Sequence, residues 1–247
     1  MPFETIKYSK KAHVARITLD RPEAGNVISD AMARELIEVC DRIGRDDAVY
    51  AVILTGSGRD FCRGGEAGVL RGYILPASVI AGIDRPVIAA LNGDALGPGL
   101  ELALACDIRL ASSGARVGLP QVAGGTLPVD GGTQRLPRVV GRGKALELLL
   151  TADTVSAVEA LEMGLVSYVF PPEALKGEVE KLAATIAAKG PVALKYLKEA
   201  IIKGMDMTLE QGLRLEADLY FLLHTTADRT EGVRAFLEKR QPEFRGE

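Results

Sequence analysis

The stretch from Val87 to Ala111, VIAALNGDALGPGLELALACDIRLA, constrains the fold more than any other part of the chain. A continuous apolar run, Val87 to Leu91, stops at Asn92-Gly93, and a glycine-rich corner at Gly97-Pro98-Gly99 opens a second apolar segment interrupted by one acid, Glu101. A short apolar run ended by a turn predicts a buried strand, and the segment behind the corner predicts a helix. The same order occurs upstream: apolar Ala51 to Leu54, then Thr55-Gly56, then the loop Phe61-Cys62-Arg63-Gly64-Gly65-Glu66. A strand, turn and glycine corner made twice suits an α/β spiral of repeated units.

The flanking segments fit around this centre. Thr5 to Tyr8 and Val14 to Leu19 read as a hairpin turning at Ser9-Lys10-Lys11. Ser29 is placed to cap a helix carrying Met32, Leu36, Val39, Cys40 and Ile43 on one face, stopping at Gly44. Arg116 to Leu119 reads as a strand, Lys144 to Leu150 as a helix, and Ser156-x-x-Glu159 and Thr208-x-x-Gln211 match capping boxes. A strand over Val166 to Phe170 meets Pro171-Pro172, which sets the expected division between a core (1–171) and a helical tail (172–247). Breaks at Gly190-Pro191, Gly204 to Thr208 and Thr225-Thr226 divide the tail. Leu209, Leu213, Leu215, Leu219, Phe221 and Leu222 give it an apolar face wider than a lone surface helix needs. Such a tail packs either on its own chain or on other copies.

Composition narrows the function. A net charge of −3 with acids and bases interspersed argues against a nucleic-acid or membrane-surface protein. No apolar run approaches the roughly 20 residues that span a bilayer, and the N-terminus has no apolar signal region, so a cytoplasmic protein is expected. Three cysteines, Cys40, Cys62 and Cys106, suggest neither a disulfide framework nor a zinc site; Cys62 is expected to be partly exposed. Only His13 and His224 offer imidazoles, and no Gly-x-Ser-x-Gly elbow is present. Gly97-x-Gly99 lacks the third glycine of a dinucleotide fingerprint, and Gly141-Arg142-Gly143-Lys144-Ala145 lacks the P-loop spacing. Chemistry must rest on carboxylates and backbone.

The corner supplies both in outline. A helix start presents unpaired N–H groups and a positive dipole end to a developing oxyanion, with Glu101 in the first turn beside it. Glu101 can equally be a dipole complement, and Gly64-Gly65 a simple tight turn.

The stretch resembles the signature of the enoyl-CoA hydratase/isomerase (crotonase) superfamily. So do LDRPEAGNVIS from Leu19, AVILTGSGRDFCRGGE from Ala51, GGTQRLPRVVGRGKALELLLTAD from Gly131, SAVEALEMGLVSYVFP from Ser156 and DRTEGVRAFLEKRQPEF from Asp228. The resemblance implies a crotonase-like spiral of ββα units with a C-terminal helical tail. It also implies an acyl-CoA thioester as substrate, with coenzyme A part of the substrate rather than a separate cofactor, and a homotrimer or dimer of trimers. In that likeness Glu23 to Val27, including Ala24, lies along the CoA arm. Gly65, in the loop that ends at Glu66, gives one oxyanion N–H. Glu101 acts as acid/base, and Ala67 to Asp84 is a shortened excursion lining the acyl pocket. Three positions depart from the family pattern. Gln121 stands where many hydratases have a second glutamate. Pro98 stands where the second oxyanion N–H is usual, leaving Gly99 as the neighbouring donor. Asp130 stands where a small residue is common, as a further carboxyl group, as a contact to a polar substrate, or as a cap on the helix beginning near Gly132. Arg63 is either a solvated loop residue or a contact to a phosphate or carboxylate. Expected is a lyase of the hydratase type acting on an unusual acyl group; an isomerase, a hydrolase or a non-catalytic acyl-CoA binder are the alternatives.

Overall fold

The structure, a computed structural model, describes residues 3–66 and 75–247. In chain order the elements are β1 (Ile6–Lys11), β2 (Val14–Leu19), α1 (Asp30–Gly44), β3 (Ala51–Gly56), α2 (Pro76–Ala81), β4 (Val87–Leu91), β5 (Ala95–Leu96), α3 (Pro98–Ala105) and β6 (Ile108–Ser112). They continue with β7 (Arg116–Gly118), α4 (Gly132–Thr151), β8 (Thr154–Ser156), α5 (Ala157–Glu162), β9 (Tyr168–Phe170), α6 (Pro172–Ala187), α7 (Pro191–Gly204), α8 (Leu209–Leu223) and α9 (Ala227–Leu237). The large sheet has the order β1-β2-β3-β4-β6-β9. Its β1–β2 hairpin is antiparallel and every other pair is parallel.

The repeat read from two segments extends to four. After each of β2, β3, β4 and β6 the chain crosses a second layer before entering a helix. That layer is the β5-β7-β8 sheet, prolonged by single bridges of Cys62 to Ala95 and of Ile28 to Gly65. The helices reached are α1, α2, α3 and α4. This is the α/β spiral with its helical tail.

Side-chain alternation explains how the sheet is covered on both faces. Val52 and Leu54 of β3, with Val87, Ala89 and Leu91 of β4, point into the main core. Ile53, Ile88, Ala90 and Leu110 point the other way and are covered by Leu175, Val179 and Ala183 of α6. The division expected at Pro171-Pro172 therefore cuts between a sheet and the helix that seals it. The proline pair marks the end of β9, but α6 belongs to the core layer. Beyond it, α7 is tied back by Lys198 Nζ, which donates to the Asp107 carboxylate (2.7 Å) and the Arg85 carbonyl (3.0 Å).

Local signals hold where their partners lie nearby in sequence. Ser29 accepts from Met32 N, and both capping boxes, at Ser156 and Thr208, form. Several boundaries move. The hairpin turns at Ala12-His13, Ala12 taking φ 51°, because pairing continues through Lys11 with Val14. β9 begins at Tyr168 rather than Val166. The helix expected from Lys144 begins at Gly132 and runs across a break at Gly141 (φ 79°, ψ 158°). Among the described residues no helix is long and apolar enough to cross a membrane.

Candidate active site

Two corners of successive spiral turns meet at the site. Gly97, at φ 52° and ψ −124°, turns the chain from β5 into α3, and its N–H donates to Gly118 O (2.9 Å). Pro98 is the first helical residue and has no N–H. The N–H groups of Gly99 and Leu100 find no backbone acceptor among the described residues, whereas Glu101 N donates to Gly97 O (3.1 Å). These are the orphan donors of a helix start, in a helix buried from Gly99 through Ala105, where little water screens the dipole. The facing corner is held by Ile28 N donating to Gly64 O and Glu66 N donating to Ile28 O, both 2.9 Å, which leaves the Gly65 N–H without an acceptor among the described residues. A Cβ built on Gly65 would stand 3.4 Å from Pro98 Cγ, so the two corners are in contact.

Glu101 lies one turn into α3, fully buried. Its Oε1 accepts from Asp130 N (2.7 Å) and Gly132 N (2.9 Å), while Gln121 Nε2 stands 3.4 Å from Oε2. Burial pushes its pKa above the ordinary carboxylate value. The two N–H donors and the Arg135 charge oppose this, and the Asp130 charge adds to it. Oε1 thus accepts from two backbone N–H groups, and Oε2 faces the Gln121 amide alone among the described residues. Gln121, on a 3-10 turn (Pro120–Gly124), has its own Oε1 buried with no donor among the described residues.

Asp130 does not cap the helix at Gly132, as one expectation had it. Its carboxylate accepts from Ala77 N (2.6 Å), Ser78 N (3.0 Å) and Ser78 Oγ (2.7 Å), so it caps α2 rather than the helix at Gly132. The start of α4 is formed by Gly131 at φ 97°, with no side-chain cap. Cys62 is also corrected: it is fully buried, its thiol pushed up to about 12 by burial, and it backs the Gly99 corner.

The loop carrying Ala24 and Val27 packs along the Gly65 corner, with Arg63 N donating to Gly25 O (3.0 Å). Arg21 Nη1 joins both sides by donating to Val27 O (3.0 Å) and Glu66 Oε1 (2.7 Å), so the Glu66 carboxylate is already paired. Arg63 is half exposed, 3.9 Å from the Asp94 carboxylate. The acyl-pocket expectation for Ala67 to Asp84 lies partly outside the described residues, which resume at Leu75.

Sequence reading missed the side chains that hold these loops. Asn26 is fully buried, donating to Ser57 O (2.9 Å) and Asp60 O (2.8 Å) and accepting from Arg21 N. Asn92 accepts from Gly56 N (3.0 Å) and donates to Asp60 O (3.1 Å). Both read as turn residues in sequence, and only their glycine neighbours hinted at more.

With this geometry in hand, the enoyl-CoA hydratase/isomerase family model matches residues 9–247. The chain belongs to the enoyl-CoA hydratase/isomerase family. The crotonyl-CoA hydratase of Syntrophomonas wolfei is 39% identical, over 99% of both chains. The (E)-benzylidenesuccinyl-CoA hydratase of Thauera aromatica is 41% identical, over 95% of this chain and 96% of that one. The crystal structure of an enoyl-CoA hydratase from Bacillus anthracis superposes with a TM-score of 0.95 at 38% identity, covering 99% of this chain and all of the other. Enoyl-CoA hydratase relatives named for crotonyl and benzylidenesuccinyl groups thus share one scaffold with this chain.

Proposed function

We propose that the chain adds water to the double bond of a 2-enoyl-CoA thioester, with Glu101 as the one carboxylate that moves protons. The observation that carries this reading is the division of labour in Glu101: Oε1 is held by two N–H groups while Oε2 faces Gln121. A water donating one hydrogen to Glu101 Oε2 and the other to the orphan Gln121 Oε1 has its lone pair free for Cβ. Its oxygen bonds to Cβ, its proton goes to Oε2, and the π electrons move onto the thioester oxygen. The enolate then takes the same proton from Oε2 at Cα, which restores Glu101. A single carboxylate places both new bonds on one face of the substrate.

The thioester oxygen is assigned the N–H groups of Gly65 and Gly99. Removal of one such donor costs roughly 2.7–4 kcal/mol of transition-state stabilisation. If Gly99 serves, Pro98→Gly leaves turnover within about threefold of the parent and lowers the melting temperature by about 1–4 °C through added backbone freedom. A gain approaching a hundredfold would mean that the second donor is absent from the natural protein.

Isomerisation is the second reading, and Gln121 favours it: an amide cannot deliver a carboxylic proton, and one carboxylate suffices to move a proton along an acyl chain. A panel of linear, branched, aryl and carboxylated enoyl-CoAs, followed by mass spectrometry, separates the outcomes. Hydration gives a product one water heavier, isomerisation a product of equal mass, and hydrolysis free acid. Affinity without turnover on every thioester would make the chain a binder.

The tail is assigned to assembly as a trimer or dimer of trimers. Leu197, Ile201, Leu209, Leu213 and Phe221 of α7 and α8 remain exposed after the tail has packed. Light scattering at micromolar concentration should return three or six chains; a monodisperse monomer would remove this assignment.

A further inference from the structure

Asp130 touches two parts of the site through different atoms. Its carboxylate, with 2% of the residue exposed, accepts three hydrogen bonds at the start of α2, while its N–H donates to Glu101 Oε1 (2.7 Å). Its carbonyl accepts from Arg135 Nη1 (2.6 Å), and Arg135 N and Gln134 N donate to Gly131 O next to it. Residue 130 is therefore fixed on every polar atom. α2 packs against α1 and α3, the helix that carries Glu101.

Resting on the reading of Glu101 as the acid/base, we propose that Asp130 is its positioning residue, locking the base to the start of α2 so that α2 and the carboxylate hold one geometry. α2 falls within the Ala67 to Asp84 segment that the resemblance assigns to the acyl pocket, so the clamp joins the described part of that segment with the atom that moves the proton. Its physical basis is the helix start: the N–H groups of Ala77 and Ser78, which have no partner within α2, donate to the Asp130 carboxylate, and these bonds hold the Asp130 backbone in register with Oε1. The charges facing Glu101 are those of Asp130 and Arg135, of opposite sign. The Asp130 charge disfavours the Glu101 carboxylate, so its removal favours ionisation.

The test reads Glu101 without substrate. Infrared difference spectra between each protein and its Glu101→Gln counterpart isolate the protonated carboxyl stretch of Glu101, followed across pH alongside kcat and KM. Asp130→Asn should shift the Glu101 midpoint to lower pH and reduce kcat by about 10- to 100-fold, the scale of a misplaced catalytic group, with KM little changed. Asp130→Ser keeps a good helix cap without the charge and gives the same reading if the asparagine variant fails to fold. Ser78→Ala, which removes one of the three bonds, should lower the melting temperature by about 2–4 °C and leave the midpoint in place. A folded Asp130 variant with the parent's midpoint and kcat would reduce Asp130 to a helix cap and overturn the proposal. Failure of the acid/base reading looks different: the midpoint still moves, but Glu101→Gln itself keeps full turnover.

Discussion

Glu101→Gln should lower turnover on the best thioester of the panel by roughly 10²–10⁴-fold while leaving thioester affinity near that of the parent. The amide keeps an oxygen for the N–H groups of Asp130 and Gly132, so the loop stays in place. Its NH₂ replaces Oε2, and the orphan Oε1 of Gln121 gains a donor if that amide reorients. What is lost is the ability to accept a proton. The same substitution should stabilise the fold in a pH-dependent way. Burial raises the Glu101 pKa, so the folded state binds this proton more tightly than the unfolded chain. Parent stability accordingly falls as pH rises from the ordinary carboxylate value through the raised one, and the glutamine variant escapes this loss. Melting temperatures of the two proteins should converge at acid pH and diverge towards neutral, with the variant the more stable. Parent-like turnover in the variant would remove Glu101 from the mechanism; a variant that is less stable at neutral pH would refute the buried-charge account.

Gly99→Ala should be the most damaging single-methyl change at the site. A Cβ at this position overlaps the Cys62 carbonyl oxygen and stands 2.8 Å from the Cys62 carbonyl carbon, and both neighbours are backbone, which cannot rotate away. The two segments are also stitched by Leu96 N donating to Cys62 O (2.9 Å) and Cys62 N donating to Asp94 O (2.9 Å), so relief requires moving α3 off the Gly65 corner. Overpacking of this kind costs about 3 kcal/mol, or roughly 6–12 °C in melting temperature for a chain of this size. Displacement of the first turn of α3 should lower kcat by about a hundredfold in whatever fraction folds. Calorimetry with turnover on the purified variant decides it; a parent-like melting curve would show that the corners are not in backbone contact.

The site was legible in the sequence to the extent that its parts are local. Glu101 is one helical turn from Gly97, and the corner announces itself through Gly97-Pro98-Gly99. Asp130 was not legible in the same way. Its partners Ala77 and Ser78 lie 53 and 52 residues away, and a carboxylate shows no preference in sequence for one helix start over another. Cys62 looked like a loop cysteine because its own neighbours are polar and glycine-rich, yet α3 lies across it. Asn26 and Asn92 gave only the signal of turn residues, since the carbonyls they satisfy belong to a neighbouring turn of the spiral.

The sequence by itself determined the repeated strand and glycine-corner unit, the caps of α1, α5 and α8, the breaks between tail helices, and the family whose signature surrounds Glu101. All of these depend on interactions among residues a few positions apart, where backbone geometry sets the partner. Tertiary structure alone decided that α6 seals the sheet, that Asp130 caps α2, that Gln121 leaves an acceptor open, and that Oε2 of Glu101 faces Gln121. Each of those depends on which spiral turns stack in register, and stacking is settled by burial of the whole sheet rather than by any one segment.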